Sequence, residues 1–283
     1  MPRVAIVTDS SADLDPRLAA GSGVTVVPVA IALGAGSIRG EAAAVGGRTS
    51  RSGDESGATL PARELVEAFA AAFAGLATMH DGIVAVLLSG RLGANVAAAS
   101  EARDRVAGEA AVSVVDSRSV SLGLGFQALH AAELADRGAG ADEIVAALLA
   151  ERDRYQVAFS VESVEHLRRS GQIGRSAALI AEALQLKPLL RLDEGQIVPY
   201  ERARTRSRAI AELAEFVREL PAIERCAVLY ATNRNDANRL LRAIAADTGL
   251  APDRLTVQRI GDAVAAQVGP GALGVAVEEA DVA

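Results

Sequence analysis

Residues 83–88 read IVAVLL, an unbroken apolar run followed at once by the small polar loop SGRLGAN. A strand with one wet face alternates apolar and polar residues, because successive side chains point to opposite faces. This run does not alternate, so both its faces must be covered, as in a parallel sheet flanked by helices. VAIVT at 4–8 reads the same way, and VSVVD at 112–116 reads as a further strand. The segments between them carry a helical period. From Pro61 onward Leu65, Phe69, Ala72, Phe73 and Leu76 share one face, and further helices are expected over 95–107, through Ala135, and over 142–154. Such alternation predicts an α/β layer with a doubly wound parallel sheet.

At 283 residues the chain is longer than one such layer needs. Near Tyr155 the pattern changes: VAFSV is followed by helical stretches around VEHLRRS and AALIAEALQL, then by KPLLRLDEGQIVPYERA. The last reads as a β-hairpin about Asp193-Glu194-Gly195, where a type I turn with glycine in the left-handed region is expected. Helices over 206–219 and 236–247 and the strands CAVLYAT, LTVQRI and LGVAVE complete this half. The expected fold is α/β in two domains, a parallel doubly wound domain over 1–154 and an α/β domain with an antiparallel component over 155–283, with a ligand cleft between them. Residues 34–61, rich in Gly, Ser and Ala without a period, read as a long connection.

Composition narrows the function classes. Half the residues are hydrophobic but only 3% are aromatic and none is Trp, so the core is aliphatic. A net charge of -7 argues against a nucleic-acid footprint. The one basic cluster, RARTRSR at 202–208, reads as a solvated helix start or a contact for a single anion. Cys226 is the single cysteine, which rules out an internal disulfide and points to strand packing within CAVLYA. MPRVAIVTDSS is too short in apolar residues for a signal peptide, and no run of about 18 apolar residues would form an integral membrane segment. A cytoplasmic protein is expected.

Ligands of open α/β sheets sit beyond the carboxyl ends of the strands. Here those ends are TDSS at 8–11, SGRLGAN at 89–95, DSRS at 116–119, SVES at 160–163 and ATNRND at 231–236, rich in hydroxyls and poor in acid/base groups. GRLG at 90–93 lacks the Lys-Ser/Thr of a P-loop, and GLG at 123–125 reads as helix packing. There is no G-x-S-x-G, and His80, His130 and His166 adjoin no serine or cysteine nucleophile. No ligand spacing suggests a metal site, and DLD at 13–15 reads as a helix N-terminal signal before Pro16. No catalytic residue, metal or cofactor is therefore expected.

Several stretches together resemble the DegV family: VTDSSADL at 7–14, VVDSRSVSLGLG at 114–125, VESVEHLRRSGQIG at 161–174, LQLKPLLRLDEGQI at 184–197, RARTRSRAI at 202–210 and VGPGALGVAV at 268–277. The resemblance implies a two-domain α/β protein that binds a long-chain fatty acid between its domains. It further implies presentation of the acid to a separate fatty acid kinase. In the family pattern Ser-Ser-x-Leu-Ser-Gly-Thr-Tyr the third serine helps hold the carboxylate; the same stretch here, 89–96, places Gly93 at that position.

The ligand-binding positions that the resemblance implies are Ser10, Thr59, Ser89, Gly93, Asn95 and Gln267, and those facing a kinase or phosphate are Arg204 and Gln172. Thr59 and Pro61 partly match an upstream Thr-Ser-x-Pro-Ser-Pro. Gln267 stands where the family has a histidine before Gly-Pro-Gly, and Gln172 where it has an arginine. Losing one hydroxyl donor to a charged group removes about 1.5–3 kcal/mol unless another donor substitutes. The Gly93 N–H and the Asn95 and Gln267 amides are the expected substitutes. Two alternatives stay open: a lipid with a neutral or different head group and no kinase role, and an acyl-chain hydrolase.

Overall fold

The structure, a computed structural model, describes residues 3–29, 32–33, 36–37, 62–108, 111–171 and 186–280. The first half runs β1 (Val4–Asp9), α1 (Pro16–Gly21), β2 (Val24–Val27), β3 (Ala32–Leu33), β4 (Gly36–Ser37), α2 (Ala62–Ala77), β5 (Gly82–Leu87), α3 (Asn95–Arg105), β6 (Val112–Asp116), α4 (Leu122–Asp136) and α5 (Ala141–Ala150). The second runs β7 (Tyr155–Ser160), α6 (Glu165–Arg169), β8 (Lys187–Asp193), β9 (Gln196–Ala203), α7 (Arg206–Arg218), β10 (Ile223–Tyr230), α8 (Arg234–Thr248), β11 (Leu255–Arg259), α9 (Asp262–Val268) and β12 (Leu273–Glu279).

The first sheet has the order β2-β1-β5-β6 and every pairing in it is parallel. The chain moves outward from β1 to β2 and then crosses to β5 on the other side, so the winding reverses between β1 and β5. That is where an open α/β sheet leaves a crevice at its carboxyl edge. The unbroken apolar run is explained by cover on both faces. Ile83, Ala85 and Leu87 pack with Phe69 and Phe73 of α2 and Ala98 and Ala99 of α3, whereas Val84 and Val86 pack with Leu124 and Ala128 of α4.

The second sheet has the order β11-β10-β12-β7-β8-β9 and is mixed: β10 and β11 are parallel and the remaining pairs antiparallel. One face, through Ala158, Val228 and Val275, packs on Leu213 and Val217 of α7 and Leu240 of α8. The opposite face, through Val157, Phe159, Leu190 and Leu229, shares one core with α4 and with Val84 and Val86 of the first sheet. Helix α4 lies in that shared core, and its first half is buried all round, which is why it shows no polar face. Its GLG is indeed packing: a Cβ on Gly125 would stand 2.8 Å from the Ala12 carbonyl oxygen.

Four expectations change in detail. The apolar run after Gly23 is not one strand, because β2 ends at Val27 before Pro28, which has no N–H to give a ladder. The helix expected over 142–154 stops at Ala150 and a 3-10 turn, Arg152–Arg154, leads into β7. The hairpin turn has two residues, not three: Asp193 pairs with Gln196, and Glu194 and Gly195 have φ of 48° and 76°, the type I′ arrangement that matches strand twist. Helix α9 was not anticipated. The helix expected over AALIAEALQL lies almost entirely outside the described residues.

Candidate ligand site between the two sheets

Aspartate Asp9 ends β1 with its carboxylate turned to the neighbouring strand. Its Oδ1 accepts from the Ser11 N–H at 2.9 Å and from the Ser11 hydroxyl, and its Oδ2 accepts from the Leu88 N–H at 2.9 Å. The loops after β1 and β5 are thus tied together at the crevice. After β5 the chain turns tightly, with the Leu92 and Gly93 N–H groups donating to the Ser89 carbonyl at 2.9 and 3.1 Å. This turn points Leu88 and Leu92 towards the second sheet.

Between the sheets lies an apolar cavity of about 60 Å³. Leu88 and Leu92 wall it from the first sheet, Phe159 and Leu229 from the second, and Ile260 and Val264 from the segment of α9. Among the described lining residues only Ser121 and Gln267 have polar side chains. The remainder are aliphatic or glycine apart from Phe159, so the space suits a flexible hydrocarbon.

The residues expected at the site fall into distinct places. Gln267 lines the cavity and is 6% exposed. Ser89 is buried, and its hydroxyl donates to the Gly195 carbonyl at 2.8 Å, joining the β5 loop to the β8–β9 hairpin. Ser10 donates to the Val29 carbonyl at 3.1 Å and accepts from its N–H at 3.0 Å, fixing the chain beyond β2. The Gly93 N–H expected as a substitute donor is engaged by Ser89. A Cβ at Gly93 would stand 2.8 Å from Leu88 Cδ2, so the missing serine is matched by a leucine packed where its side chain would begin.

Asn95 opens α3, is buried, and its Nδ2 has no partner among the described residues. Thr8, Ser119 and Ser160 likewise hold buried hydroxyls without a partner among those residues. Thr8 and Ser160 lie at strand ends, Ser119 in the loop after β6 and Asn95 at the start of α3, and buried polar groups without partners mark places of unmet hydrogen bonding. Arg204 is exposed on the β9–α7 turn, and its neighbour Arg206 is tied to Asp236 at 2.8 Å and to the Gly271 carbonyl at 2.8 Å. Thr59 and Gln172 lie outside the described residues.

Two residues not expected at the site stand at the cavity and directly behind it. Ser121 lines the cavity, and its hydroxyl donates to Asp13 Oδ2 at 2.6 Å. The DLD signal divides: Asp15 does cap α1, accepting from the Arg17 N–H at 2.8 Å, but Asp13 crosses to accept from the Gly261 N–H at 2.9 Å. Burial, helped by the nearby Asp9 and Asp262 carboxylates, pushes Asp13 up to about 7 despite those two hydrogen bonds. A polar residue inside an otherwise apolar helix start, VSLGLG, was the available signal for Ser121.

The Cys226 thiol, buried in β10, is pushed up to about 12 by burial and is inert as a nucleophile. His80 faces the Leu76 carbonyl at 3.1 Å and His130 approaches Glu151 at 3.2 Å. No group of three His, Cys, Asp or Glu residues that would hold a metal occurs among the described residues. No helix among them is long and apolar enough to cross a membrane.

The model of a family described as "Uncharacterised protein, DegV family" matches residues 3–280. The chain belongs to the DegV family. A DegV domain-containing protein of Deinococcus radiodurans is 34% identical over 280 residues, 97% of this chain and 98% of that one. Another, from Streptomyces coelicolor, is 36% identical over 290 residues with the same two coverages. The structure described as "Fatty Acid Binding of a DegV family Protein from Thermus thermophilus" superposes with a TM-score of 0.81 at 27% identity, covering 98% of this chain and 100% of that one. "Crystal Structure of DegV, a fatty acid binding protein from Bacillus subtilis" does so with a TM-score of 0.79 at 25% identity, over 99% and 100%. The parallel and mixed sheets described above are the DegV architecture.

Proposed function

We propose that this DegV-family chain binds a long-chain fatty acid or similar lipid, its acyl chain lying in the cavity between the two sheets. The aliphatic lining of that cavity carries the reading, supported by the fatty-acid-binding DegV proteins of Thermus thermophilus and Bacillus subtilis. Each buried methylene contributes about 0.8 kcal/mol, so the hydrocarbon supplies affinity and the few polar groups fix orientation. In this reading residues 1–154 and 155–283 are two domains and the ligand lies between them. Gln267 and the unpartnered Asn95 amide are the proposed head-group donors.

The chain acts as a carrier without a catalytic residue or cofactor of its own, located in the cytoplasm and presenting the acid to a separate fatty acid kinase. Exposed Arg204 suits the approach of a phosphorylated partner group. Lipid extracted from the purified protein and analysed by mass spectrometry tests the reading. An acyl species is expected at near-stoichiometric amount, and its repeated absence together with no uptake of added fatty acid overturns it.

A second reading, a neutral head group such as an alcohol, amide or ester, is favoured by one observation: no charged side chain lines the cavity among the described residues. A buried carboxylate without a cation or several donors costs several kcal/mol. Affinities for a fatty acid and its matching alcohol separate the two, since a clear preference for the acid excludes the neutral head group.

A further inference from the structure

Ser121 begins α4 in a fixed posture. Its φ is 53°, its N–H donates to the Ser11 carbonyl at 2.7 Å, and its own carbonyl accepts from Leu124 and Gly125 at 3.0 and 2.9 Å. Its hydroxyl is therefore free only to rotate. On one side is the cavity it lines, and on the other is Asp13 Oδ2 at 2.6 Å. Asp13 is held as firmly: φ is 51°, Oδ1 accepts the Gly261 N–H at 2.9 Å, and its carbonyl accepts the Gln258 amide. A Cβ on Gly261 would stand 2.6 Å from Oδ1, so only glycine permits this approach.

The charged groups facing Asp13 are carboxylates, Asp9 at the end of β1 and Asp262 at the start of α9, the latter 3.4 Å from Arg259. No cation pairs with Asp13 among the described residues. A serine hydroxyl has one hydrogen to give. When Asp13 is ionised that hydrogen is drawn to Oδ2, and Ser121 shows the cavity lone pairs alone. When Asp13 takes a proton from solvent, Oδ1 is already occupied by Gly261, so the proton resides on Oδ2 and is donated to Ser121 Oγ. The serine hydrogen is then released towards the cavity.

We infer that Ser121 is a head-group contact of the cavity, and that Asp13 is the positioning residue that sets whether Ser121 accepts or donates a hydrogen bond. The inference rests on the acyl-site reading and adds a selection rule to it. Head groups that only accept, such as a ketone, an ester or a carboxylate, are favoured when Asp13 is protonated. Head groups that donate are favoured when it is ionised. Burial brings the changeover close to neutral pH.

The test uses the whole chain and probes that do not titrate: a long-chain methyl ketone, which only accepts, and the matching primary alcohol, which can do either. For the wild type, ketone affinity is expected to fall about tenfold as pH rises from about 5.5 to about 8.5, the worth of one modest hydrogen bond, while alcohol affinity stays level. In Asp13→Asn the amide donates permanently to Ser121, so ketone affinity should stay at the low-pH level throughout. Ser121→Ala should bind the ketone weakly with no pH dependence.

Ketone binding that is level in the wild type, or that keeps its pH dependence in Ser121→Ala, overturns the inference. If Ser121→Ala fails to fold by circular dichroism, Asp13→Asn, whose residue tolerates the left-handed region, decides by itself. If ketone, alcohol and fatty acid all fail to bind at every pH, the acyl-site reading fails, and the inference with it.

Discussion

At the residue scale, Asp13 carries a consequence for stability that does not depend on any ligand. A free aspartate loses its proton near 3.8, whereas folded Asp13 keeps it up to about 7 because it is buried. Between those values the unfolded chain has released a proton that the folded chain still holds, so stability falls as pH rises through this window and levels off above it. At about 1.4 kcal/mol per unit the fall amounts to about 4 kcal/mol. Asp13→Asn removes it: relative to the wild type the variant should gain stability steadily between pH 4 and 7, measured by urea denaturation across that range. Gly93 supplies a second test. Restoring the family's serine looks like a repair, but a Cβ there would meet Leu88 Cδ2 at 2.8 Å. Leu88 lines the cavity, so Gly93→Ser should cost about 1–3 kcal/mol through overpacking and weaken acyl binding by narrowing the space. Calorimetric titration with a fatty acid reads the sign.

At the element scale, the β8–β9 hairpin is held to the first sheet through its turn. The Ser89 hydroxyl donates to the Gly195 carbonyl, and Arg118 pairs with Glu194. Ser89→Ala leaves that buried carbonyl without its donor, at a cost of about 1–3 kcal/mol. Hydrogen exchange should quicken at residues 193–196 while the β1 and β5 amides keep their protection. Phe69, fully buried on α2 and stacked against Phe73 at 6.0 Å, lies on the face of the sheet away from the cavity. Phe69→Ala should therefore lose about 3–5 kcal/mol yet bind acyl ligand normally below its lowered melting temperature. Elements with a strong pattern were legible in the sequence: the unbroken run before Ser89 required a doubly covered strand, and the apolar runs on either side of Asp193-Glu194-Gly195 pointed to a hairpin. Short α9 was not, since DAVAAQV is too brief and too alanine-rich to show a face. Nor was the meaning of Asp13, because both aspartates of DLD fit a helix start and only tertiary structure separates them. Of the cavity, Gln267 could be reached by motif alone, whereas its apolar walls come from both halves of the chain and depend on how the sheets face one another.

At the scale of the whole molecule, the shared core joins what length and pattern divide. Val84 and Val86 of the first sheet, α4, and Phe159 and Leu229 of the second belong to one apolar cluster, and the cavity lies within its reach. Filling the space from α9 with Val264→Trp should abolish uptake of fatty acid, by native mass spectrometry, while thermal unfolding of the unliganded protein stays cooperative. A cavity walled by both sheets also makes its occupant a missing piece of the interior. On the proposed function, such a cargo would be folded into the protein rather than carried on it. Letting it go into water would expose the acyl chain and the walls together, so handing it over should run through direct contact with another apolar surface, and an empty molecule should be the one that seeks a lipid source.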